Sequence, residues 1–167
     1  MRTRFGVFAA VLALGFCALA LRAEDADALS QKYFDLANNE KDEAEAKKVG
    51  NSFLEAAKTD ADGLNEFAWK IMTDEGIKKR DLDLAMRVAK AAFDACEGKS
   101  AAIVDTYARA FFDSGKIDDG LKWQKKAVEI CTDDNLKNEL EETLKRYQAK
   151  VDEKKDKKED SKGDTKK

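Results

Sequence analysis

The chain has 167 residues, with 31 Lys and Arg against 34 Asp and Glu, three cysteines, no proline and no histidine. Without histidine there is no His-based triad, no His general base and no zinc or iron site built on imidazole, and without proline nothing interrupts helices or sets rigid turns. Charge mixed in both signs argues for a solvated surface and against nucleic-acid binding, which wants a concentrated basic face.

The N-terminus has the three parts of a secretory signal peptide: Arg2 and Arg4, an apolar run from Phe5 to Leu21, and small residues at Ala18-Leu-Ala20 or Leu21-Arg-Ala23. Residues 1–23 are therefore expected to be removed, placing the mature protein in the periplasm or outside the cell, with no membrane association. An uncleaved anchor is the competing reading, because the apolar run is near the lower length limit for spanning a bilayer. Loss of Arg2, Arg4 and Arg22 leaves 28 basic and 34 acidic residues, a net charge of −6.

Residues 24–151 read as one helical domain. Ala26 to Asn39 and Asp42 to Thr59 make a first hairpin, with Leu29, Tyr33, Leu36 and Ala37 on one face and Ala46, Val49, Phe53, Leu54 and Ala57 on the other helix at helical spacing. Asn38-Asn39 marks the turn, and Gly50 marks a kink or a close crossing. Asp60 and Asp62 are candidate caps for the next helix, which carries Leu64, Phe67, Ala68, Ile71 and Met72 and ends near Gly76. Asp81 caps its partner, which closes at Gly98. Ser100 then caps a helix that is apolar nearly all round, Ala101 to Phe112, expected at the centre of the stack.

Gly115 ends that helix and Ile117 to Cys131 returns. Asp118-Asp119 at its start offsets the helix dipole, and Asp133-Asp134-Asn135 lacks the glycine and distal glutamate of a calcium loop. Thr132 or Asp133 caps a last helix whose stripe is Leu136, Leu140, Leu144, Tyr147 and Val151 with a charged back, as a terminal helix with one neighbour requires. Residues 152–167 are mostly Lys, Asp and Glu and are expected to form a disordered, charge-balanced tail.

The hairpins repeat. Setting Ala85 on Gly120 places Ala92 on Ala127, Phe93 on Val128 and Cys96 on Cys131, each pair 35 residues apart. Self-similarity near that period marks a stacked helix-turn-helix array. Val104, Tyr107, Ala108, Phe111, Gly115, Ala127 and Val128 resemble the tetratricopeptide repeat (TPR) pattern, and Gly63 to Cys96 is similar to a second copy with a longer loop. The departures are Gly120 where that family has alanine, Gln124 where it prefers an aromatic, and the missing proline. Leu64-Asn-Glu-Phe-Ala-Trp69, Asp81-Leu-Asp-Leu-Ala85 and Asp105-Thr-Tyr-Ala-Arg109 also resemble the helical segment that follows a thioredoxin-like domain in some exported bacterial thiol-disulfide proteins. The fold these resemblances imply is all-α: antiparallel hairpins stacked as a short TPR-like solenoid with a C-terminal capping helix.

The TPR resemblance implies a concave groove lined by the first helix of each hairpin: Asn65, Trp69 and Met72 in one, Asp105, Arg109 and Phe112 in the next. Asn65 would meet a peptide backbone, Arg109 a carboxylate through its planar fork, and Trp69 and Phe112 apolar side chains. The plainer reading makes both aromatics core residues and pairs Arg109 with Asp105. Trp123, on the outer helix, either packs against the last helix or offers a second contact surface.

Cys96 and Cys131 are an even pair in an exported chain, but equivalent positions in stacked hairpins lie about one helix diameter apart, about 10 Å, beyond the disulfide limit of about 7 Å. They read first as small core residues. No arrangement of carboxylates or thiols calls for an enzyme, a metal or a cofactor. The function expected is non-catalytic binding of a protein or peptide; the alternatives are an accessory factor of a thioredoxin-like thiol-disulfide system, and a self-assembling structural protein.

Overall fold

The computed structural model describes residues 25–38 and 42–163, with side chains to residue 157. The expected signal peptide and the Asn39 half of the first turn lie outside these residues. Among the described residues the protein is all-α, with seven helices and no strand. They form two compact units, one ending at Lys58 and one beginning at Thr59.

The first unit holds α1, residues 25–38, and α2, Glu43–Ala56. The Asp42 side chain accepts from the Glu45 amide at 2.9 Å and so fixes the start of α2. Ala46, Val49, Gly50 and Phe53 are its buried stripe, and Gly50 lies inside an unbroken helix. Lys32 on α1 reaches Glu45 on α2, Nζ to Oε1 at 2.9 Å, and this cation holds the Glu45 carboxyl below its ordinary range.

The second unit contains α3 (Ala61–Thr73), α4 (Leu82–Ala95), α5 (Ala101–Asp113), α6 (Ile117–Ile130) and α7 (Asp134–Gly163). Asp60, Asp81 and Asp133 start three of these helices by accepting from the amides of Gly63 (3.0 Å), Leu84 (2.9 Å) and Leu136 (2.8 Å). Ser100 holds the capping position of α5 without a side-chain bond, so that helix depends on burial: Val104 and Ala108 have no exposed surface. Gly115 takes a φ of +79° after α5, a left-handed turn that frees the chain to reverse.

Within this second unit each helix packs on the next, and α5 also touches both α3 and α7. That pattern puts α3, α5 and α7 side by side on one side of the unit and α4 and α6 on the other. An aromatic cluster joins the two sides. Phe93 of α4 meets Trp123 of α6 edge-on at 5.0 Å, and Tyr107 of α5 lies 5.0 Å from Phe93 and 5.4 Å from Trp123. Trp123 is thus a half-buried packing residue, set against two buried clusters that include Leu140, Tyr147 and Val151 of α7.

Two helix ends differ from the sequence reading. Helix α3 stops at Thr73 and the Asp74 carboxylate accepts from the Gly76 amide at 2.8 Å, so this end is an Asx turn and not a left-handed glycine cap. In the loop that follows, Ile77 is 1% exposed and anchors the segment. Helix α7 does not end at Val151 but runs to Gly163. Lys and Glu are good helix formers, and the extension is laced by Gln148 to Asp152 at 3.0 Å, Lys150 to Glu153 at 2.9 Å and Lys154 to Asp118 at 3.6 Å. Both Cys96 and Cys131 are free thiols.

Candidate functional site

The α3–α5–α7 side brings together most of the residues expected to line a groove. On α3, Asn65 and Trp69 are one turn apart and share a face. Trp69 is the one exposed large hydrophobic residue among those described, at 40%. The Arg109 guanidinium of α5 sits over its ring, Cζ 5.2 Å from the centroid. A cation over an exposed indole contributes about 0.5–1 kcal/mol, which orients both side chains without hiding them.

Arg109 does not pair with Asp105. Its Nε donates to Asp113 Oδ2 at 3.1 Å, with the two side chains 28% and 24% exposed. This bond takes one edge of the guanidinium and leaves its two terminal nitrogens without an acceptor among the described residues. The fork is held in place from two sides, by the indole below and the carboxylate behind.

Asn65 presents a second unmet group. Its Oδ1 is buried and has no hydrogen-bond partner among the described residues. A buried acceptor left unmet costs about 1–3 kcal/mol. Asp105 lies one turn before Arg109 and is partly buried. Burial raises its carboxyl above the usual aspartate range, opposed by the Gln124 amide, Arg109 and Arg146 and aided by Glu139.

Phe112 continues the surface toward α7. Its ring is stacked on Tyr147 with centroids 3.9 Å apart and planes 7° from parallel, and Arg146 lies over the same tyrosine at 5.6 Å. Tyr147 is 1% exposed, and burial pushes its hydroxyl up to about 12, with the Asp105 charge adding to the rise. Phe112 is accordingly half-buried, packed on the cluster of Ala108, Leu121, Tyr147 and Val151.

Met72 does not belong to this surface. It is 3% exposed, within the apolar stripe of Leu64, Phe67, Ala68 and Ile71, because at about 100° per residue it lies about 60° round the helix from Trp69, toward Ala68 and the core. Of the six expected residues, the structure brings Trp69 and Arg109 into contact, leaves Asn65, Asp105 and Phe112 half-buried, and buries Met72. Sequence reasoning missed Asp113, Gln124, Arg146 and Tyr147. One signal was available: Gln124 stands in the apolar stripe Ile117, Leu121, Val128, where a polar side chain must find a buried partner. It does, donating from Nε2 to the Leu140 carbonyl at 3.1 Å.

No family model matches the chain, and neither curated proteins nor solved structures yielded a match. Among the described residues no helix is long and apolar enough to cross a membrane.

Proposed function

We propose that this chain is a TPR-like, non-catalytic binding module of the periplasm that holds a protein or peptide segment on the α3–α5–α7 side. The observation that carries this reading is the placement of Arg109 over the exposed ring of Trp69 with its terminal nitrogens unengaged. Tryptophan and arginine are among the residues most enriched at binding hot spots, and here both are ordered before a ligand arrives, which lowers the entropy cost of association.

The chemistry suits a segment with one apolar and one acidic side chain. The apolar group covers Trp69 beside the edge of Phe112. Its carboxylate takes the two terminal nitrogens of Arg109, a bidentate contact that a lysine cannot supply. Asn65, half-buried one turn before Trp69, offers its amide N–H groups to a backbone carbonyl of the segment. No step requires a cofactor, a metal or a covalent intermediate.

The test is a crosslinking pull-down from a periplasmic fraction with the mature chain and with an Asn65→Ala, Arg109→Ala double variant. Both residues are largely outside the core, so the variant should keep its helical circular dichroism. Partners captured by the wild type and lost by the folded variant support the groove; the same set captured by both refutes it.

A further inference from the structure

At Val151 helix α7 changes chemistry while keeping its register. At about 100° per residue, Leu140, Leu144 and Tyr147 lie within about 40° of Val151 round the helix. This is the stripe that packs on α5 and α6: Leu140 joins Val104 and Ala127, and Leu144, Tyr147 and Val151 join Ala108 and Leu121. On the same count Lys154, Lys155, Lys158 and Lys162 occupy positions within about 60° of Val151, while Asp152, Glu153, Asp156, Glu159 and Asp160 stand about 80° or more away. The packed face therefore continues as a lysine stripe with the acids on the other side. Residues 152–157 are all exposed.

This arrangement works against the helix itself. Lys154 and Lys158, Lys158 and Lys162, Asp152 and Asp156, and Asp156 and Asp160 are like charges four residues apart, each of which destabilises a helix in isolation. Only Glu153 with Lys157 and Lys155 with Glu159 are opposite at that spacing. Acidic groups brought from outside relieve the lysine side, and the molecule shows this chemistry once: Lys154 Nζ lies 3.6 Å from Asp118 Oδ2 at the start of α6. Lys155 has no ion pair among the described residues. Positions 158 and 162 lie about 6 and 12 Å further along the axis, beyond the start of α6.

We propose that this lysine stripe is a docking strip for an acidic helical segment of a partner protein, laid along α7 beyond the start of α6. Lys154, Lys158 and Lys162 step by about 6 Å, the spacing of acids four apart on a partner helix. The strip also continues the face that already receives α5 and α6. A second copy does not suit it, because a two-fold pair sets the same patch against itself, lysine against lysine. Nor does an anionic bilayer, which holds interfacial helices by an apolar face that residues 152–163 lack. Exposed ion pairs are individually weak, so the contact is salt-sensitive and serves to steer the partner to the stack.

The test is fluorescence anisotropy of a labelled helical peptide with glutamate at every fourth position in alanine, titrated with the mature chain. The comparison chain exchanges neighbouring charges, Lys155→Asp with Asp156→Lys and Lys158→Glu with Glu159→Lys, which keeps composition and net charge but scatters the stripe. It also makes all six charged pairs four apart opposite, so its helical circular dichroism should equal or exceed that of wild type, and lost affinity cannot be ascribed to a lost helix. At low ionic strength wild type is expected to bind at least about tenfold more tightly than the exchanged chain, and to lose that advantage at physiological salt. Arg109→Ala should bind the peptide as wild type does, which separates this strip from the groove. Equal affinity of wild type and exchanged chain, or loss of binding in Arg109→Ala, overturns the proposal. So does wild type that ignores the peptide but sediments with phosphatidylglycerol vesicles, or that gains mass with concentration while the exchanged chain does not.

Discussion

Phe112 of α5 lies flat on Tyr147 of α7, 3.9 Å between centroids. The contact links neighbouring helices of the groove side and leaves Tyr147 with 1% of its surface exposed. Truncating either ring opens a cavity where the groove wall meets the core. Tyr147→Ala should cost about 3–5 kcal/mol, the range for a buried aromatic, while Phe112→Ala, half-buried at the rim, should cost less; urea denaturation of both variants checks the order.

Alkaline pH should act through the same tyrosine. Its hydroxyl is pushed up to about 12 by burial, against about 10 in an unfolded chain. A folded value above the unfolded one means that the stabilising contribution is complete below about pH 10 and disappears as pH rises through about 12. Tyr147→Phe has no proton to lose and should escape this fall, about 3 kcal/mol by the linkage relation. Thermal melts of both proteins between neutral and alkaline pH read the difference, and parallel curves would count against it.

At Gly120 the backbone of α6 lies close against α5. A Cβ there would lie 3.0 Å from Phe112 Cβ and 3.1 Å from both Ala108 O and Phe112 N. Two of these atoms are backbone, so the helices themselves must part. Gly120→Ala should destabilise by about 1–3 kcal/mol, as overpacking does, although alanine is the better helix former; a higher melting temperature in the variant would contradict the close crossing.

Ile77 gives the α3–α4 connection its anchor. At 1% exposure in a loop, it has the burial of a core residue, and Ile77→Ala should cost about 2–4 kcal/mol. Faster hydrogen exchange across Asp74–Asp81 should accompany the loss. A change below 0.5 kcal/mol, the ordinary surface range, would mean that the loop is not anchored.

Much of the helical framework was readable because local signals coincided: Asp60, Asp81 and Asp133 each stand before an apolar stripe, and each caps a helix. The end of α3 was not, because glycine at 76 looks like a left-handed cap while the Asp74 side chain two residues earlier closes the turn instead. Nor was the length of α7, since composition alone does not separate a charged tail from a helix made of good helix formers held by Lys150–Glu153 and Lys154–Asp118. At the candidate site, helical spacing placed Asn65, Trp69, Asp105 and Arg109 on a shared surface. Spacing could not choose between Asp105 and Asp113, both one turn from Arg109; packing on Trp69 from α3 chose Asp113. Gln124 was noticed as a departure from pattern, and its partners came from α5 and α7, which no local rule specifies.

Site-directed photocrosslinking reads the groove claim most directly. A photoreactive residue would replace Trp69 in one variant and Lys125, exposed on α6, in another, each irradiated in the periplasmic fraction. Recognition on the α3–α5–α7 side requires adducts at position 69, absent at 125 and lost when Arg109→Ala is added. Adducts at 125 alone, or at both positions regardless of Arg109, would contradict it.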